Sequence, residues 1–233
     1  MNDNITTIDS MGYGSSVDER NKVLRNTYWL LSLSMVPTIL GAWIGVATGV
    51  GAAMATMSPW ISLIVFMGGA FGFMFAIEKF KNSAAGVPIL LAFTFFMGLM
   101  LSRLIGNILG LSNGASLIMT AFAGTGGIFL GMATLSTVIK RDLSSMGKFL
   151  FIGMVMVLVA AVANIFFQSP ALMIALSVLV IGISSAFILY DLKRVKDGEE
   201  TNYITATLSV YISLYNIFSN LLALLGIFGG ERD

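Results

Sequence analysis

The stretch FLFIGMVMVLVAAVANIFFQSPALMIALSVLVIGISSAFILYDL, residues 149–192, holds two apolar runs of about twenty residues parted only by Gln168, Ser169 and Pro170. At 1.5 Å per residue, a helical run of that length crosses the roughly 30 Å hydrocarbon core of a bilayer. A membrane β-strand would be about ten residues long and would alternate in polarity, which neither run does. The polar interruption is turn chemistry, with proline placed to open the next helix. The pair therefore reads as a transmembrane helical hairpin.

Working outward, comparable runs occur near residues 27–50, 59–77, 84–102, 116–139 and 204–228, which makes seven spans with 149–167 and 171–192. Composition agrees, since 57% hydrophobic and 11% charged residues leave too few polar groups to cover a soluble globule of 233 residues. The predicted fold is all-α: a polytopic seven-helix transmembrane domain over 27–230, preceded by a disordered tail over 1–26. That tail carries Asp3, Asp9, Asp18 and Glu19 together with Gly12, Gly14, Ser15 and Ser16, and has no apolar core. The first apolar run is a full-length span, so it reads as an uncleaved anchor.

Basic residues set the expected orientation. With the N-terminus in the cytoplasm, Arg20, Lys22, Arg25, Lys79, Lys81, Lys140, Arg141, Lys148, Lys193, Arg194 and Lys196 all fall inside, leaving Arg103 and Arg232 outside. The C-terminus is then expected outside. The chain has no cysteine and no histidine, which excludes disulfides, thiol nucleophiles, Ser-His-Asp triads and imidazole zinc sites. A formal charge of +1 without a polybasic tract gives no reason to expect nucleic acid. No cofactor and no enzymatic activity are expected.

Three constellations stand out. Glycines recur at four-residue spacing, at 41, 45 and 49, 68 and 72, 106 and 110, and 127 and 131, which reads first as close helix packing inside the molecule and second as a dimer face. In the last span Thr205, Ser209, Ser213, Asn216 and Asn220 form one polar stripe, either hydrogen-bonding between helices or lining a polar pathway. Asp191 closes the sixth span just before Lys193 and Arg194. It is either neutralised there by the basic residues and water, or forms a proton- or cation-responsive latch just inside the bundle. Tyr190-Asp191 also matches half of an intramembrane aspartyl protease. Such chemistry needs a second aspartate to share a proton, and the spans as read offer none.

The segments KVLRNTYWLLSLS (22–34), VANIFFQSPAL (162–172), AFILYDLKRV (186–195) and GEETNYITATLSVYISLYNIFSNLLALLG (198–226) resemble the Bax inhibitor family of seven-helix membrane proteins. The likeness runs from residue 22 onward and is strongest in the last third. It is closest to a bacterial branch of the inner membrane that modulates FtsH, an ATP-driven membrane protease, as slow substrates that restrain degradation of other membrane proteins. Other members behave as pH-sensitive calcium leak channels with two aspartates near the cytoplasmic ends of the sixth and seventh helices. Asp191 matches the first of these. The second falls, within VYISLYNIF (210–218), on Ser213. Calcium binding calls for several charged oxygens, so Asp191 alone is a weak calcium candidate. Lys79 is the nearest match to the basic latch that family members carry on the second helix. The resemblance therefore implies protease modulation as the leading function, with a calcium or proton leak as the alternative.

Overall fold

The computed structural model describes the backbone of residues 3–230, and the side chains from Val17 onward apart from Ala55. Among the described residues there are eight helices and no strand: α1 (Asp3–Ala47), α2 (Val50–Thr56), α3 (Pro59–Phe80), α4 (Gly86–Leu109), α5 (Gly114–Val138), α6 (Ser144–Phe167), α7 (Pro170–Asp197) and α8 (Tyr203–Gly229). Seven are long and apolar enough to cross a membrane, as read from the sequence; α2 is a two-turn connector that the apolar pattern did not reveal. Pro59 and Pro170 open α3 and α7, and the Ser169 hydroxyl caps α7 by accepting from the Leu172 N–H at 3.3 Å. Gly198, with φ of 84°, ends α7 in the left-handed conformation that glycine adopts without strain. The third span runs past Arg103 to Leu109, because a long cationic side chain near a helix end can reach the membrane surface without ending the helix.

α8 is the central helix, packed against α1, α4, α5 and α7, while α6 lies outside α7. Ile77, Leu90, Phe93, Ile188, Leu192, Ile204, Val210, Tyr211 and Ile217 form the shared core. The tightest crossing joins α1 to α4, which run parallel. A Cβ added at Gly98 would overlap the Thr38 carbonyl oxygen and come within 3.0 Å of the Ala42 nitrogen. One at Gly41 would overlap the Phe95 carbonyl, and Gly45 sits against Ser102. Two small-xxx-small pairs, Gly41/Gly45 and Gly98/Ser102, thus let the backbones touch.

The glycine expectation needs correcting elsewhere. A Cβ at Gly68, Gly72, Gly127 or Gly131 would meet nothing within 4 Å, so these residues do not serve packing within the bundle. Their spacing is the same as that of Gly41 and Gly45, but the faces of α3 and α5 that carry them point outward.

The tail boundary also shifts. The backbone is already helical within the stretch read as a tail, and Leu24 packs against the core while Arg20 lies against Gly198 at the α7–α8 turn. Leu24 supplies the apolar contact that holds this part of α1 to the bundle. Side chains of residues 1–16 lie outside the described residues.

Candidate functional site at the basic end of the bundle

The ends of α1, α3, α5 and α7 that carry the basic residues converge. The Lys196 ammonium donates to the Thr137 carbonyl in the last turn of α5 at 2.5 Å. Asn202 caps α8, its Oδ1 accepting from the N–H groups of Ile204 and Thr205 at 2.9 and 3.2 Å. Its Nδ2 donates to the Lys81 carbonyl at 3.1 Å and to Asn82 Oδ1 at 2.9 Å, tying the α3–α4 loop to the start of α8. In the α5–α6 loop, Asp142 accepts from both the hydroxyl and the N–H of Ser144, and these bonds hold its carboxyl below the usual carboxylate range. That tie is at full strength above the ordinary carboxylate pKa and is lost as pH falls through the lowered value.

Asp191 is not at a helix end. α7 continues six residues beyond it to Asp197, because Lys193 pairs with Asp197 one turn on and Gly198 supplies the cap. The unfavourable dipole at the helix terminus therefore falls on the last turn and not on Asp191. Asp191 is 9% exposed, and neither expected partner pairs with it: Lys193 takes Asp197, while Arg194 reaches Glu199 at 3.6 Å and stacks on Tyr190 at 5.6 Å. The charges that act on it are Arg194 and Glu200. Lys79 is exposed, its ammonium 5.6 Å from the centroid of the Phe80 ring, and Glu78 pairs with Lys81 at 2.5 Å.

Asp191 continues a buried row that the sequence reading missed. Ser177, Ser184 and Asp191 are seven residues apart, hence on one face of α7, and are 6%, 0% and 9% exposed. Ser184 Oγ is fully buried with no hydrogen-bond partner. The seven-residue spacing was the available signal. This arrangement offers a carboxylate that can accept a proton or a cation, and hydroxyl oxygens that can ligate a cation. Among the described residues, no group of three or more Asp and Glu side chains gathers as a metal site.

The α8 stripe is half-buried at Thr205, Ser209, Asn216 and Asn220 and buried at Ser213. The hydrogen bonds its side chains make are local, Thr205 to the Asn202 carbonyl at 3.0 Å and Asn220 to the Asn216 carbonyl at 2.8 Å. Interhelical bonds come instead from the other side of α8. Thr207 Oγ1 lies 3.3 Å from the Thr27 carbonyl of α1. Thr38 Oγ1 donates to the Ser34 carbonyl at 2.8 Å, so the Tyr211 hydroxyl donates to Thr38 at 2.8 Å, with the Thr94 carbonyl of α4 at 3.4 Å. Tyr211 therefore joins α8 to α1 and α4 by hydrogen bonding as well as by packing.

Seven helices long and apolar enough to cross a membrane, packed as one bundle, define the class: a polytopic helical membrane protein. The chain matches the family described as "Inhibitor of apoptosis-promoting Bax1" over residues 20–230, and it belongs to that Bax inhibitor family. It is 39% identical over 219 residues to "Modulator of FtsH protease YccA" of Escherichia coli K12, covering 94% of this chain and 95% of that one. It is 38% identical to an "Uncharacterized membrane protein" of Vibrio cholerae, covering 90% and 91%. A Neisseria meningitidis protein is 36% identical over 96% of this chain and 98% of its own.

Proposed function

We propose that this chain is a bacterial inner-membrane protein that an FtsH-type protease engages as a slow substrate, thereby restraining degradation of other membrane proteins. The observation that carries the reading is the near full-length similarity to a protein named for modulating FtsH. A related Escherichia coli protein is named "Inner membrane protein YccA", which supports the location. The tight α1–α4 crossing supports slowness, since a bundle locked through its backbones resists being pulled apart helix by helix.

The segment ahead of Val17 is the proposed handle. It is polar by sequence, and about 16 residues drawn out at 3.3–3.6 Å each reach roughly 55 Å from the membrane. Deleting residues 2–16 leaves Arg20 in place against Gly198 and should lengthen the half-life of the protein in cells containing the protease. An unchanged half-life, with insertion verified, removes the handle from the account.

The handle must face the cytoplasm, as the eleven-to-two distribution of basic residues supports. With no native cysteine, single replacements report orientation without background. An impermeant thiol reagent should label Ala52→Cys in intact cells and leave Ser145→Cys unlabelled; the reverse pattern inverts the topology. Gly51 is a poorer probe site, because a Cβ there comes within 2.9 Å of the Arg103 nitrogen.

The second reading, a pH-sensitive cation leak, draws on the burial of Asp191 without an ion pair and on the serine row beside it. It lacks a second carboxylate, since Ser213 stands in that place. Calcium flux through the purified protein in liposomes separates the two readings: a wild-type protein that passes no calcium at any pH removes the leak.

A further inference from the structure

We propose that the outer face of α1 at the basic end binds the headgroup of an anionic phospholipid, with Arg25 as the phosphate ligand. A groove of about 420 Å³ is lined there by Asn21, Leu24, Arg25, Tyr28, Trp29 and Ser32. Asn21, Arg25, Trp29 and Ser32 follow one another at spacings of four, four and three residues, so they descend one face of the helix.

Their order matches the polarity gradient of a lipid. Asn21 and Arg25 offer hydrogen-bond donors at the outermost level. Tyr28 and the 73% exposed Trp29 come next, side chains whose apolar bodies and polar tips suit the headgroup boundary. Leu33 and Val36, both exposed, follow where an acyl chain would lie. The Ser32 hydroxyl is already used, donating to the Tyr28 carbonyl at 2.9 Å.

Charge selects the kind of lipid. Arg25 is exposed and makes no ion pair among the described residues, while Lys22, one turn back, lines a separate groove with Glu19, Asp197 and Glu200. The acid on the same face, Asp18, is seven residues back, about 10 Å along the helix. A guanidinium holds a phosphate through two parallel N–H bonds, and its positive charge, with no acid among the residues that line the groove, favours a headgroup with net negative charge over a zwitterionic one. Trp43, 66% exposed fourteen residues further along this face, lies about 21 Å away toward the opposite membrane surface, so the face runs along the bilayer normal as a lipid does.

Native mass spectrometry of the full-length protein released from detergent, with phosphatidylglycerol or phosphatidylethanolamine of identical chains added, tests the site. Wild type should retain phosphatidylglycerol preferentially, and Arg25→Gln should lower that retention roughly fivefold, the effect of one basic residue at a membrane surface. Trp29→Ala should weaken both lipids, and Lys148→Gln, on the exposed start of α6, should change neither. Arg25 is exposed, so its replacement leaves the core intact; Asn21→Ala provides a second variant with the same expected direction. Equal retention of the two lipids by wild type, or unchanged retention by both Arg25→Gln and Asn21→Ala, overturns the proposal. Displacement of the lipid by millimolar inorganic phosphate also overturns it, because the groove would then be an anion site and not a lipid site.

Discussion

Gly98→Val should prevent the bundle from forming a stable, monodisperse species in detergent. The added Cβ would overlap a backbone oxygen, that of Thr38, which no rotamer change can move aside. Overpacking costs about 1–3 kcal/mol where side chains can yield, and a backbone clash at the tightest crossing belongs at or above the upper end. Gly98→Ala should be intermediate. Gly68→Ala should be neutral, because a Cβ there meets nothing. Thermal unfolding followed by size-exclusion chromatography reads all three, and a Gly98→Val protein that melts within a degree or two of wild type would remove the α1–α4 crossing from the account of stability.

Tyr211→Ala should give the second largest loss, roughly 3 kcal/mol, the low end of large-aromatic truncations because lipid supplies no hydrophobic transfer term between helices. Tyr211 is 1% exposed, lies edge-on to Phe93 at 5.9 Å, and is 6.5 Å from Tyr215. Tyr211→Phe keeps the ring and loses the bond to Thr38, for about 1 kcal/mol. Reversible unfolding in mixed micelles separates the two contributions. Equal losses from Ala and Phe would assign the whole effect to the hydroxyl and contradict the packing role.

The spans were legible because their signal is local: long apolar runs, prolines at helix starts and a glycine at the end of α7 act within a few residues of where they stand. The end of α7 was misread for a related reason. Beyond Leu192 the chain turns polar, and apolar periodicity stops there, yet the Lys193–Asp197 pair carries the helix another turn and leaves Asp191 inside it. Which glycines pack was not legible, since Gly41 and Gly68 have the same spacing and differ only in what faces them. The hydrogen bond between Tyr211 and Thr38 joins residues 173 positions apart, so nothing near either one announces it. The stripe of α8 was visible as a pattern, but its side chains bond to their own helix while Thr207 and Tyr211 reach the neighbours.

Restraint of an FtsH-type protease is read most directly in proteoliposomes that hold the purified protease, ATP and a membrane-protein substrate, with this chain added at increasing ratios. The half-time of substrate degradation should lengthen as the ratio rises, while this chain itself disappears slowly, and removal of residues 2–16 should weaken both effects together. A substrate degraded at the same rate at every ratio, with this chain verified as folded and co-inserted, would contradict the proposed function.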